Sequence, residues 1–227
     1  MNTKDKVLEI LETHKGEHIS GSKIAKALNI SRNSVWKAIK QLQDEGHYIS
    51  ATTNKGYCLN WDNNLLSNQS ISKYLNSDFF DIEVYKVVDS TNSKLKSKAE
   101  SGAPEGTVII SEEQTKGKGR RGRTFYSPKN TGIYMSLLLR PKFSAYESLS
   151  ITTCAAVAVS RAIEINSNKN AQIKWVNDIF IDDKKVSGIL TEASIDLESG
   201  GLKYAILGIG INAFSPKEGF PNELVIE

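Results

Sequence analysis

Thr115-Lys116-Gly117-Lys118-Gly119-Arg120-Arg121-Gly122-Arg123 interleaves five cations with three glycines in nine positions. The loop follows Gly106–Gln114, whose apolar Val108-Ile109-Ile110 run reads as a β-strand. Glycine allows the backbone to approach a ligand closely and to adopt positive φ. The lysines and arginines supply charge and N–H donors for a phosphate or carboxylate. A basic patch for nucleic acid, or a solvated charge run, accounts for the cations but not for their alternation with glycine at a strand end. Three other polar groupings fall at strand ends or turns: Asp89-Ser90-Thr91-Asn92, Lys174-Trp175-Val176-Asn177-Asp178 with Lys185-Val186-Ser187-Gly188-Ile189-Leu190 beyond it, and Gly208-Ile209-Gly210-Ile211-Asn212. Singly each is weak, since Ser-Thr-Asn is usually a helix cap and Gly-x-Gly in a strand usually a packing site or bulge. Their order and spacing together, with Gln114 leading into the basic loop, are the signal.

Composition removes other chemistries. All three histidines, His14, His18 and His47, lie in the first fifty residues. Ser-His-Asp and Cys-His catalysis and His-rich metal sites are therefore excluded from the larger part of the chain, and no protein metal site is expected there. Residues 1–62 carry nine Lys and Arg against seven Asp and Glu, a net +2, and the whole chain only +3. Nucleic-acid contact must then be local. Cys58 and Cys154 stand in separate apolar stretches and read as buried, reduced thiols of a cytoplasmic protein. No apolar run has transmembrane length and no signal peptide is evident, so no membrane partner is expected.

The elements that must position these residues fall into two groups. Val7, Leu8, Ile10 and Leu11 have amphipathic helical spacing, and a second helix is predicted over about 22–28. Ser31 is an N-cap for a third, with Val35, Ile39 and Leu42 inside and Gly46 as its stop. Two short strands, 48–52 and 56–59, follow around the turn Thr53-Asn54-Lys55-Gly56. Three helices and a hairpin in this order make a winged helix-turn-helix over 1–62. Its DNA-binding candidates are Ser31, Arg32, Asn33, Trp36, Lys37 and Lys40 on the third helix and Asn54 and Lys55 at the wing tip. The alternative is an interaction module whose charged face is simply solvated. Residues 63–78 read as a linker with a short helix. From 79 to 227 strands dominate, over 82–88, 107–111, 132–139, 172–175, 179–182, 186–193 and 204–211. Many strands with few helices predict an α+β mixed sheet. A small-residue helix over 148–165 is apolar nearly all round and should be buried against it.

The full set of motifs, including Ser-Pro-Lys-Asn-Thr-Gly-Ile-Tyr-Met-Ser-Leu-Leu-Leu-Arg-Pro over 127–141, resembles the bifunctional biotin–protein ligase/biotin-operon repressor family along nearly the whole chain. The resemblance implies a biotin/lipoate-ligase-like catalytic domain after the winged helix. It implies formation of biotinyl-5′-AMP from biotin and Mg²⁺-ATP, then acylation of a lysine on the biotin carboxyl carrier domain of a carboxylase. Ser90, Thr91, Asn92 and Gln114 would hydrogen-bond the biotin head group, and a neutral ureido ring does want both donors and acceptors. Gly117, Lys118 and Gly119 would fold over biotin, while Arg120 and Lys185 would stabilise the carboxylate and α-phosphate during attack. Gly188 and Leu190 would line the channel. Asn177 and Asp178 would position Mg²⁺ or polar groups of the nucleotide, with Arg121, Arg123, Lys174 and Asn212 completing the adenylate set. Phe125 would stack on adenine in the place of a usual tryptophan, and Val176 replaces a common proline. The basic loop is expected to lack fixed structure until an adenylate binds. Relatives usually continue into a C-terminal SH3-like β-barrel, so the catalytic domain is expected to be incomplete at its end and the barrel absent.

Operator DNA and a homodimer formed with adenylate bound complete the expected partners. Two other functions stay open on the residues: a lipoate- or octanoate-type ligase, and a ligand-sensing DNA-binding regulator without transferase activity.

Overall fold

Serine and asparagine side chains start each of the first three helices. Asn2 caps α1 (Thr3–Thr13), accepting the Asp5 N–H at 2.9 Å. Ser20 caps α2 (Gly21–Leu28) and Ser31 caps α3 (Arg32–Asp44). Asn29 ends α2 at φ 52°, a left-handed conformation that asparagine tolerates better than most residues. The inward stripes of these helices, including Val7, Leu11, Ile24, Val35, Ile39 and Leu42, form one core with Ile19, Ile49 and Leu59. β1 (Ile49–Thr52) and β2 (Gly56–Leu59) pair antiparallel, so the predicted winged helix-turn-helix forms. Ile19 and Tyr57 exchange backbone hydrogen bonds at 2.8 and 2.9 Å, fastening the wing to the turn before α2.

The structure is a computed structural model describing residues 2–142, 148–195 and 201–221. It divides into two units, Met1–Asp78 and Phe79–Glu227. The short helix α4 (Asn68–Ser72) opens with a reciprocal capping box between Ser67 and Ser70. Immediately after it, Lys73 Nζ reaches Glu12 Oε2 of α1 at 2.8 Å, where the Glu12 side chain is 1% exposed. The segment expected as a linker is thus held on α1 by a charge pair. Burial pushes the Lys73 ammonium down, but the Glu12 carboxylate outweighs it and the net shift is upward.

The second unit is a seven-stranded sheet in the order β3-β4-β5-β9-β8-β7-β6. The strands are β3 (Asp81–Tyr85), β4 (Thr107–Ser111), β5 (Gly132–Leu139), β6 (Gln172–Lys174), β7 (Asp178–Ile181), β8 (Lys184–Ile195) and β9 (Leu202–Asn212). Only β3 and β4 pair parallel, which makes the sheet mixed. Alternation along β9 serves two cores. Tyr204 and Ile206 join Leu95 and Ala99 of α5 (Thr91–Glu100), while Ala205 and Leu207 join Ile151, Ala155 and Val159 of α6 (Leu149–Ser167).

Two expectations are corrected here. α6 buries one stripe rather than its whole circumference, leaving Leu149, Val157 and Ile165 exposed. Cys154 is exposed too, and only Cys58 is buried. The reason is geometric: at 100° per residue, a helix lying on a sheet can press only one face against it.

Two stability outcomes follow for the first unit. Lys73→Ala leaves the Glu12 carboxylate buried without its partner, and should lower unfolding free energy by on the order of 3 kcal/mol in chemical denaturation. His47 is held below its ordinary value of 6.5, first by burial, against the upward pull of Glu45 and Glu12. The folded unit therefore resists protonation more than the unfolded chain does. That contribution is complete above about pH 6.5 and fades as pH falls through the lower folded-state value. Melting temperature should drop between about pH 7 and about pH 5, and His47→Gln should flatten that drop.

Candidate functional site

The α5 side of the sheet has a floor of bare backbone. Gly188 pairs with Gly210, Leu190 with Gly208, Tyr134 with Gly210 and Ser136 with Gly208, bringing β5, β9 and β8 together. A Cβ on Gly208 would lie 2.2 Å from Asn92 Oδ1, and one on Gly210 would lie 2.3 Å from Phe125 Cε1. The absent side chains therefore admit Asn92 from α5 and the Phe125 ring from the basic loop. Phe125 also packs over Gly188 and edge-on to buried Tyr134, with ring centroids 6.4 Å apart.

Above this floor a hydrogen-bond network joins β5, β8 and the segment between β4 and β5 to the start of α5. Thr91 donates to Gln114 Oε1 through its backbone N–H at 2.8 Å and its hydroxyl at 3.0 Å. Gln114 Nε2 donates to Ser127 Oγ at 2.9 Å, which donates to the Phe125 carbonyl at 2.9 Å. Ser136 Oγ lies 2.8 Å from Thr91 Oγ1 and 2.6 Å from Asn92 Oδ1. Asn92 Nδ2 donates to Glu192 Oε2 at 2.7 Å. Thr91, Asn92, Ser127 and Ser136 are all buried, so each bond meets a need that water cannot. Ser90 acts as the helix cap, accepting the Ser93 N–H at 3.4 Å.

A second, charged group adjoins it. Arg120 Nη1 donates to Asn177 Oδ1 at 2.6 Å, Asn177 Nδ2 donates to Asp178 Oδ1 at 2.8 Å, and Lys185 Nζ lies 3.0 Å from the same Asp178 oxygen. Lys185 is thus paired with the Asp178 carboxylate, and Arg120 is held by the neighbouring Asn177 amide. Asn177 is itself fixed to β8, its carbonyl accepting the Ile189 N–H at 2.9 Å.

The basic loop that presents Arg120 has a definite form. Gly119 N–H bonds Arg123 O at 2.7 Å and Phe125 N–H bonds Gly117 O at 2.9 Å, closing a narrow hairpin. Its base is tied down where Lys116 N–H meets Asp89 O at 2.7 Å. Arg120–Gly122 forms a 3₁₀ turn at the tip, with Arg121 in the left-handed region at φ 55°. Backbone hydrogen bonds within the loop do what its side chains cannot, because like-charged cations do not pack on one another.

The predicted residues divide by this geometry. Thr91, Asn92 and Gln114 meet in the amide–hydroxyl network, and Lys118 approaches it through Glu192 at 3.9 Å. Arg120, Asn177, Asp178 and Lys185 form the charged group, with Gly188 and Leu190 in the floor between. Lys174 stands apart, its ammonium 5.3 Å from the centre of the Phe180 ring. Arg121 and Arg123 are exposed on the loop, and Asn212 ends β9 opposite Gly132. Sequence reasoning missed Ser127, Ser136 and Glu192. Ser136 left a trace, as a hydroxyl inside the apolar run Ile133-Tyr134-Met135-Ser136-Leu137-Leu138; Glu192 left none. In the first unit Arg32, Asn33, Trp36, Lys37 and Lys40 are exposed on α3, with Asn54 and Lys55 exposed at the wing tip. No cluster of three or more potential metal ligands exists among the described residues, and no helix among them is long and apolar enough to cross a membrane.

A winged helix-turn-helix followed by a mixed sheet carrying an amide pocket beside paired cations defines a two-unit, ligand-binding protein with a DNA-binding type of fold. Residues 84–212 match the biotin/lipoate A/B protein ligase family and residues 3–58 match an HTH domain. The chain belongs to the biotin/lipoate A/B protein ligase family. It is 39% identical over 220 residues to the bifunctional ligase/repressor BirA of Bacillus spizizenii, covering 96% of this chain and 67% of that protein. Against BirA of Escherichia coli identity is 29%, covering 87% and 60%. Biotin protein ligase from Aquifex aeolicus, solved in complex with biotin and ATP, is similar at 35% identity and TM-score 0.52, over 64% of this chain and 56% of that one. This chain therefore spans roughly half to two thirds of its relatives' length.

Gly208→Ala tests the floor. The new methyl meets the Asn92 amide and should cost about 1–3 kcal/mol in chemical denaturation.

Proposed function

We propose that the chain is an ATP-dependent biotin–protein ligase that also represses transcription. The observation that carries this is adjacency: a buried, neutral amide–hydroxyl network beside a group holding two cations. Biotin has those two halves, a neutral ureido ring and an anionic carboxylate. Thr91, Asn92 and Gln114 would take the ring, with Gly117, Lys118 and Gly119 closing over it and Ser90 supporting the start of α5. Lys185 would leave Asp178, and Arg120 would leave Asn177, in part to meet the carboxylate and α-phosphate.

In the first step a biotin carboxylate oxygen attacks the α-phosphorus of ATP, and pyrophosphate departs with the electrons of the broken P–O bond. In the second, a lysine amine of a carboxylase carrier domain attacks the acyl carbon, AMP leaves, and the amine's proton passes to solvent. The cations stabilise charge that grows at phosphorus, a role needing no general base. Arg121, Arg123, Phe125, Lys174 and Asn212 would complete the adenylate site. Magnesium would arrive on the nucleotide phosphates, and Asp178, the single carboxylate in the charged group, would be its protein ligand, since Mg²⁺ is usually bound through one or two carboxylates plus substrate phosphates.

The exposed α3 face, Arg32 to Lys40, would read base edges, and the Asn54–Lys55 wing would touch phosphate. The net +2 of residues 1–62 neutralises few phosphates, so a homodimer on a two-fold operator is the economical arrangement. Adenylate binding would favour that dimer and, by linkage, the operator complex. A reducing, cytoplasmic setting suits the two unpaired cysteines.

Incubation with ATP, biotin or lipoate, and a carrier domain, read by mass spectrometry, tests the ligase; lipoylation would favour the other branch of the family, and no transfer a regulator alone. Lys185→Ala should slow biotinyl-AMP formation by about 10²–10³-fold in single-turnover assays. Lys55→Ala should weaken all DNA sequences alike and reduce the salt slope by about 0.9, with biotinylation unchanged.

A further inference from the structure

Glu192 belongs to none of the motifs that identify the site, yet among the described residues it is the one carboxylate in contact with both the amide network and the basic loop. Its Oε2 accepts from Asn92 Nδ2 at 2.7 Å, and its Oε1 lies 3.9 Å from Lys118 Nζ. We infer that Glu192 is a positioning residue that sets the orientation of the Asn92 amide and, through Lys118, ties the basic loop to the head-group pocket. The inference rests on the ligase reading for its functional consequence, though not for its structural one.

The argument turns on donors and acceptors. A carboxylate only accepts. With Glu192 charged, the Asn92 group facing it must be Nδ2, and Oδ1 must face the other way, toward Ser136. Ser136 has one hydroxyl proton and two acceptors in reach, Asn92 Oδ1 at 2.6 Å and Thr91 Oγ1 at 2.8 Å. A fixed Asn92 oxygen at the shorter distance takes that proton. Thr91 then spends its own hydroxyl proton on Gln114 Oε1, the oxygen already receiving the Thr91 N–H. Gln114 is turned by that backbone N–H itself, which can only donate, so that its Nε2 faces Ser127. The Glu192 anion thus orders Asn92 and Ser136, the Thr91 backbone N–H orders Gln114, and together they present a defined set of donors and acceptors instead of a mixture of flipped amides. A ureido ring, with fixed N–H and C=O positions, needs that definition.

The second contact is looser. Lys118 and Glu192 side chains are 44% and 36% exposed, so the pair contributes little to stability. Its effect is local, a tether for a hairpin whose tip carries Arg120.

Three variants separate the two roles. Glu192→Gln retains an acceptor for Asn92 and loses the charge facing Lys118. Glu192→Ala loses both, and Lys118→Met loses the tether alone. In ligand-free protein, limited tryptic cleavage after Arg120–Arg123 should quicken about threefold or more in all three variants. Biotin affinity without ATP, by calorimetry, should fall at least tenfold in Glu192→Ala, and about threefold or less in Glu192→Gln and Lys118→Met. In turnover, Glu192→Ala should raise KM for biotin more than it lowers kcat. Rescue of affinity by glutamine is the signature that a general loss of stability would not produce.

Unchanged loop cleavage overturns the tether, and equal biotin affinity in wild type and Glu192→Ala overturns the orientation role. Should wild type bind no biotin, the ligase reading fails. The orientation role is then decided by the Asn92 side-chain amide resonances in NMR spectra of the ligand-free protein, which shift in Glu192→Ala and are restored toward wild type in Glu192→Gln if it holds; their failure to move overturns it.

Discussion

Satisfying buried amides and hydroxyls is the constraint on which the second unit depends. Thr91, Asn92, Ser127 and Ser136 sit where water does not reach, and each must find its partner in protein. Meeting that condition requires α5 to approach the sheet closely enough for Asn92 to lie on backbone. Gly208 supplies the space, and a Cβ there would stand 2.2 Å from the amide oxygen. The apolar core beneath α5, built on Leu95, Ile109, Leu138 and Ile206, holds the helix at that depth. Packing and polar recognition are consequently one arrangement. The residues that order the pocket also lock the helix that delivers it.

Beside this rigid pocket the charged group is built differently. Arg120, Asn177, Asp178 and Lys185 come from a loop and from two strands, and Lys185 is 45% exposed in its side chain. Exposed ion pairs of this kind are weak, and weakness suits groups that exchange one anion for another. The site joins a preorganised half, suited to a neutral ring, to a half whose cations can be drawn away from Asn177 and Asp178. Differential interaction of that sort, stronger with developing charge than with the resting carboxylate, is what lowers a barrier.

The first unit answers a different need. Its core is made by helix stripes and a wing anchored through Ile19, leaving α3 and the wing tip with exposed polar side chains. The buried Glu12 and its partner Lys73 hold the segment after the wing on α1.

Much of this was legible in sequence because it is local. Helix caps at Ser31 and Ser90, the hairpin around Asn54, and strands over Thr107–Ser111 and Gly132–Leu139 follow from nearest-neighbour chemistry and period. The motifs Ser90–Asn92, Gln114 and Gly117–Arg123 were likewise visible, since a glycine/basic alternation or a polar cluster at a strand end is written in consecutive residues. What required the tertiary structure is whatever depends on residues distant in sequence. Glu192 meets Asn92 across a separation of 100 residues, and Arg120 meets Asn177 across 57. Burial was misjudged for the same reason. Composition indicates that α6 is apolar, but only its placement on one surface of the sheet determines that Ile151 and Ala155 are covered and Cys154 is not. The sequence by itself determined which side chains were available and which turns and periods the backbone would take; the tertiary structure decided which donors face which acceptors, because a hydrogen bond depends on position in space and not on order along the chain.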